Sequence, residues 1–146
     1  MNNNWFPKNY KIIRDSVHGD IKIDDEYIQV ISTSEFQRLR RIKQLSVADL
    51  VFPSANHTRF AHSIGTFFVM QKIIAQITNQ FSNIQLTIDP RDIKIALVAA
   101  LLHDLGHGPF SHAFENIISG KQKSHETWTI EIIKSIENEM KVSYLD

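Results

Sequence analysis

The chain has 146 residues, 42% of them hydrophobic and 22% charged, which suits one domain with a buried core and excludes disordered, collagen-like and coiled-coil chains. Sixteen basic residues balance sixteen acidic ones, so the chain lacks the overall positive field that drives broad nucleic-acid binding, and no specific nucleic-acid binding is expected. The absence of cysteine excludes disulfides, thiolate ligands and a cysteine nucleophile and fits a cytoplasmic protein.

Two short alternating runs, Ile12-Ile13-Arg14 and Asp20-Ile21-Lys22-Ile23, flank Ser16-Val17-His18-Gly19, which predicts a β-hairpin over about residues 10–24. From there to about residue 141 the pattern is helical. Asp25–Ile31 reads as a short helix. Ser32 stands three residues before Glu35, a capping-box spacing that predicts a second helix over Thr33–Gln44. Pro53 breaks the next stretch. A long helix follows over Arg59–Gln80, with Phe60, Ile64, Phe67 and Phe68 on one stripe and Met70, Ile74, Ile77 and Phe81 continuing around it, so it is expected to be largely buried. Asp89-Pro90-Arg91-Asp92 is a strong helix start, and the helix from Pro90 to about Leu105 is apolar nearly all round. Its longest apolar run, Ile95–Leu102, has eight residues, against the roughly 20 of a membrane span. A shorter helix is expected over about Phe110–Ile118. The last covers about His125–Met140, with Trp128, Ile132, Ile136 and Met140 on one side. The fold class is mainly α, a helical bundle with a small N-terminal β-hairpin.

Five of the seven histidines fall between residues 62 and 125. His62 shares a stripe with Thr66, Val69 and Ile73 and is expected to point inward. His103 shares one with Ala96, Ala99 and Ala100, and Asp104 follows Ile93, Leu97 and Leu101, so both should face apolar surroundings at a helix end. An ionised aspartate there is costly unless paired. Two solutions are open: a basic side chain, or a divalent transition metal, which imidazole and carboxylate suit together. Neighbouring residues diverge by about 100° around a helix, so His103 and Asp104 reach one ion only where the helix frays.

His103-Asp104, followed by Leu105-Gly106-His107-Gly108-Pro109-Phe110-Ser111-His112 and preceded by Arg59-Phe60-Ala61-His62-Ser63, resembles the HD-domain superfamily of metal-dependent phosphohydrolases. Phe36 to Leu45, Val51-Phe52-Pro53 and Val17-His18-Gly19 are similar to the branch of deoxynucleoside triphosphate triphosphohydrolases. The resemblance covers roughly residues 10–130 and implies a single HD domain over 1–146, shorter than the family pattern.

It implies one divalent transition metal (Mn, Fe, Co, Ni or Zn) held by His62, His103 and Asp104. The family's fourth ligand, a distant aspartate, has no match here. His107 and His112 fall near the substrate phosphates in the resemblance, His125 and Glu126 form a pair beside the scissile bond, and Glu115 supports this chemistry. A histidine suits that work because its ordinary pKa lies near 6.5. Gln44 and Arg59 match positions that contact the substrate, and a guanidinium can fork onto phosphate. Arg40 matches a residue of a regulatory nucleotide site between subunits, whereas Ser32 stands where guanine-specific members carry aspartate. By composition alone, Arg38, Arg40, Arg41 and Lys43 read as a solvated basic face. The expected partners are a nucleotide substrate and a second copy of the chain, with no membrane. The alternatives are a silent HD-domain fragment that binds metal or nucleotide, and an interaction module.

Overall fold

The computed structural model describes residues 9–80, 88–110 and 124–140. Strands β1 (Tyr10–Asp15) and β2 (Gly19–Asp24) pair antiparallel from Tyr10↔Asp24 to Asp15↔Gly19. The carboxylate of Asp15 accepts from the backbone N–H groups of Val17 and His18, both at 2.9 Å, and Gly19 closes the turn at φ 76°. That left-handed conformation is why a glycine stands there. Ile21 and Ile23 of β2 are fully buried, while Lys22 between them faces out.

Helix α1 (Asp25–Ile31) lies where the sequence places it. The second expected helix does not run to Gln44. It divides into α2 (Ser34–Gln37) and a 3₁₀ turn over Arg38–Arg41, after which Ile42 is extended. The cap is Thr33, whose hydroxyl accepts from Phe36 N at 3.3 Å; the Ser32 hydroxyl instead donates back to Ile28 O at 2.7 Å. The physical reason for the break is packing. Phe36, Leu39 and Ile42 are all buried at a spacing of three, the period of a 3₁₀ turn. The extended segment then meets the start of the long helix: Gln44 N donates to His57 O at 3.0 Å and Arg59 N to Ile42 O at 2.8 Å.

Helix α3 (Arg59–Gln80) starts at Thr58, whose hydroxyl accepts from Ala61 N at 3.2 Å. It buries Phe60, Ile64, Phe67 and Ile74, with Phe68 and Met70 half-buried; Phe81 lies outside the described residues. Helix α4 (Pro90–Leu102) starts as expected, with the Asp89 carboxylate accepting from Arg91 N at 2.8 Å, and ends three residues before Leu105. It is not buried all round. Leu97, Val98, Leu101 and Leu102 are buried, whereas Ile95 and Ala99 are exposed. Helix α5 (His125–Met140) buries Thr129, Ile133 and Ile136, so its inner seam is rotated from the expected one and Trp128 stands 40% exposed on its shoulder. The helix expected over Phe110–Ile118 falls outside the described residues beyond its first residue. No helix among the described residues is long and apolar enough to cross a membrane.

Candidate metal centre

The start of α3 and the end of α4 lie side by side, and Thr66 of α3 donates to Ala100 O of α4 at 2.8 Å. This contact brings the first turn of one helix to the last turn of the other. His62 Nε2 and His103 Nε2 stand 3.2 Å apart. Asp104 Oδ1 lies 3.4 Å from His103 Nε2, and Asp104 Oδ2 lies 3.8 Å from His62 Nε2. One ligand atom from each of these three residues lies within 4.8 Å of the others, a group that can hold a metal ion.

The donor chemistry fits a cation. His103 Nδ1 lies 3.0 Å from Ala100 O, which accepts only, so Nδ1 carries the proton and Nε2 presents its lone pair. Burial, foremost, holds the His62 imidazole below its ordinary pKa; Asp104 opposes this, while His103, Arg59 and His57 add to it. That shift favours the neutral imidazole, which can offer a lone pair at Nε2. Two such nitrogens at 3.2 Å need a proton or a cation between them. Nitrogens bound at about 2.1 Å to one ion, at right to tetrahedral angles, stand roughly 3.0–3.4 Å apart.

Asp104 takes the first of the two solutions open to a buried carboxylate, a basic side chain, and stands among groups suited to the second. It is 6% exposed, and its Oδ2 takes Arg59 Nη1 at 2.5 Å and Gln44 Nε2 at 3.3 Å, leaving Oδ1 toward His103 and His107. Burial pushes its pKa up more than any other single influence. The combined pull of His103, Arg59, the Gln44 hydrogen bond and His107 outweighs it and keeps the carboxyl below its usual range. The antiparallel contact between residues 42–44 and 57–59 is what sets Gln44 beside Arg59. Gln44 Oε1 is buried with no hydrogen-bond partner.

His107 is buried, its Nε2 is 3.6 Å from Asp104 Oδ1, and its ring stacks on that of His125 at 3.9 Å and 15°. His125 Nε2 lies 3.1 Å from Glu126 Oε1. Gly106 makes this approach possible: a Cβ there would stand 2.0 Å from His125 O and 2.4 Å from Thr129 N. Its N–H donates to Thr129 Oγ1 at 2.8 Å. His112 and Glu115 lie outside the described residues. Arg40 lies over the Phe60 ring at 3.6 Å and donates to Gln37 Oε1 at 2.7 Å.

Three expectations change in detail. The stripe of His62, Thr66, Val69 and Ile73 does not face the core. With Ala99 and Ala100 it lines an open groove of about 860 Å³, so His103 is exposed and His62 half-buried. On α4 the stripe faces the small side chains of Ala99 and Ala100, which do not fill the space. Arg59, expected to face a phosphate, is 4% exposed and engaged by Asp104. Arg38 does not belong to a solvated face: its guanidinium donates to His107 O at 2.8 Å and to Leu105 O. Nothing in the basic run distinguishes Arg38 from Arg40 or Arg41, so pattern reading missed it. The latch made by Thr129 was missed for the same reason, although Gly106 hinted at a close approach.

Comparison with known proteins meets this geometry. Residues 59–145, more than half of the chain, match the HD domain family. The chain belongs to the HD domain family. It is 40% identical, over 83% of its length, to the deoxynucleoside triphosphate triphosphohydrolase SAMHD1 of Bos taurus, of which it covers 20%. It is 49% identical, over 72% of its length, to an uncharacterized protein of Methanocaldococcus jannaschii, of which it covers 21%. Its fold is similar to a phosphohydrolase from Bacteroides thetaiotaomicron seen by crystallography, with TM-score 0.82 and 37% identity over 91% of this chain and 32% of that one. This chain thus spans about a fifth to a third of the length of these relatives.

Proposed function

We propose that this HD domain is a metal-dependent phosphohydrolase whose substrate is a deoxynucleoside triphosphate, cleaved to nucleoside and triphosphate. The observation that carries this reading is the convergence of His62 from α3 with His103 and Asp104 from the turn after α4, beside the stacked His107 and His125. The likeness to SAMHD1 sequences supplies the substrate class.

His62, His103 and Asp104 are the residues that would hold one divalent transition ion of the Mn, Fe, Co, Ni or Zn type. Such an ion, when bound, lowers the pKa of water and neutralises phosphate charge. His107 and His125 stand where they can hold or pass a proton, with Glu126 orienting His125 through the 3.1 Å contact. In this reading His112 and Glu115 join them. Arg59 orients Asp104 and, together with Gln44, borders the substrate; Arg40 belongs to a nucleotide site shared with a second copy. A second reading, a metal- or nucleotide-binding domain without turnover, draws on the count of three protein ligands among the described residues.

The test is direct. The purified chain is incubated with Mn²⁺ and each deoxynucleoside triphosphate, and nucleoside release is followed by chromatography. Turnover that disappears in the His103→Ala/Asp104→Ala double variant supports the first reading. Equal rates in both proteins reject the site. Bound metal without turnover favours the second reading.

A further inference from the structure

We propose that Arg38 is a positioning residue that fixes the turn after the His103-Asp104 pair and thereby holds His107 in its stack on His125. The proposal rests on the hydrolase reading only for what the stack does in turnover; the positioning itself is a property of the folded chain.

Helix α4 ends at Leu102, and the chain then turns through Leu105 N to Leu102 O at 2.9 Å and His107 N to Asp104 O at 3.1 Å. A helix end leaves carbonyl oxygens without intrahelical donors. Glycines at 106 and 108 flank His107, and glycine restrains its backbone least. The position of His107 therefore has to be imposed from outside the turn. Arg38, 67 and 69 residues upstream of its two acceptors, imposes it: one planar guanidinium donates through Nη2 to Leu105 O and through Nη1 to His107 O. Two bonds from one rigid fork fix both the separation and the orientation of those carbonyls.

The base of the fork is itself rigid. Arg38 opens the 3₁₀ turn between Phe36 and Leu39, both fully buried. Its acceptors are main-chain carbonyls of the turn. Its burial pulls its pKa down, with Glu35 opposing, so its placement costs free energy that the two bonds offset. His107 is then held at its carbonyl by Arg38 and at its ring face by His125 at 3.9 Å, with its Nε2 3.6 Å from Asp104 Oδ1. Lysine brings the same charge to Arg38's position but only a point donor, so the fork predicts that it does not substitute.

The experiment compares Arg38→Ala, Arg38→Lys and Val30→Ala in the full chain. Val30 is a buried residue of α1, and its truncation controls for lost stability alone. Carbon–proton NMR spectra of the histidine rings are recorded, Mn²⁺ affinity is measured, and turnover of a deoxynucleoside triphosphate is assayed. Both Arg38 variants should move the His107 and His125 ring signals, keep Mn²⁺ affinity within about threefold, and lower kcat by about ten- to hundredfold with KM within about threefold. Val30→Ala should leave the ring signals and kcat in place at a comparable loss of Tm.

Unchanged ring signals in Arg38→Ala, full rescue by Arg38→Lys, or an equal kcat loss in Val30→Ala would each overturn the proposal. If neither Arg38 variant folds, the native chain decides. Separate, slowly exchanging Arg38 Nη proton signals support the fork, and a single averaged signal overturns it. Absence of native turnover counts against the hydrolase reading alone, because the ring spectra still decide the positioning.

Discussion

Along their middle, α3 and α4 bury Phe67, Ile74, Leu97 and Val98 in one apolar cluster with Ile21 and Ile23 of the hairpin. At one end the first turn of α3 buries Arg59 and the turn after α4 buries Asp104. The apolar region is held by many small contacts, such as the edge contact of Tyr27 on Phe67 at 5.0 Å. The polar end concentrates its energy in a single carboxylate that faces Arg59, Gln44, His62, His103 and His107. In the first region, stability can be lost without touching the chemistry. In the second the two are lost together.

The largest combined effect is therefore expected from Asp104→Asn. It preserves shape but breaks the buried ion pair with the Arg59 guanidinium, a change that costs about 3–5 kcal/mol in comparable buried pairs. It also removes the anionic member of the metal group, so stoichiometric Mn²⁺ binding should be lost. Urea unfolding and elemental analysis measure the two losses; a variant as stable as the native chain breaks the comparison. The pH response sharpens it. The folded carboxyl lies below its ordinary range, so its contribution is complete above the unfolded value near 3.9 and is lost as pH falls through the folded value. The stability gap between native chain and variant should thus be wide at pH 6 and narrow in acid. A gap that widens on acidification reverses the assignment.

Phe67→Ala tests the other region. Phe67 is fully buried, and truncation of such a ring costs about 3–4 kcal/mol through lost transfer energy and a residual cavity. Unlike Asp104→Asn, it should leave Mn²⁺ stoichiometry per folded molecule unchanged. Metal titration below the unfolding transition checks this. If Mn²⁺ affinity falls more than about tenfold, the two regions are mechanically coupled and the contrast fails.

The sequence exposes these regions unequally. Period-two alternation at Ile21 and Ile23 and helical stripes at Phe60, Ile64 and Phe67 report burial directly, because apolar side chains have one preferred environment. The start of α4 was equally legible from Asp89-Pro90. Polar partners are different. Asp104 can be satisfied by metal or by arginine, and only the contact between segments 42–44 and 57–59, remote from it in sequence, brings Gln44 and Arg59 to it. The inward reading of His62 failed because a stripe with Val69 and Ile73 looks the same whether it meets a core or lines a groove. The early end of α2 was hidden because residues 36, 39 and 42 fit a helical stripe nearly as well as a 3₁₀ one.

The smallest expected effect lies where the two kinds of region meet. Thr129 belongs to the buried seam of α5 with Ile133 and Ile136, yet its hydroxyl accepts from Gly106 N at 2.8 Å. Thr129→Val keeps the volume and removes the acceptor, leaving a partly buried N–H unsatisfied at a cost of about 1–2 kcal/mol. The packing of the seam should survive, because valine's methyl groups occupy the same space. What should change is local: the Gly106 amide should exchange with solvent faster, by about tenfold, while the amides of Ile133 and Ile136 slow or quicken only with global stability. Unchanged Gly106 exchange would mean that the turn stands without α5. A uniform loss of protection along α5 would mean that Thr129 acts through packing, and the boundary between the apolar and polar regions would have to be drawn on the other side of this helix.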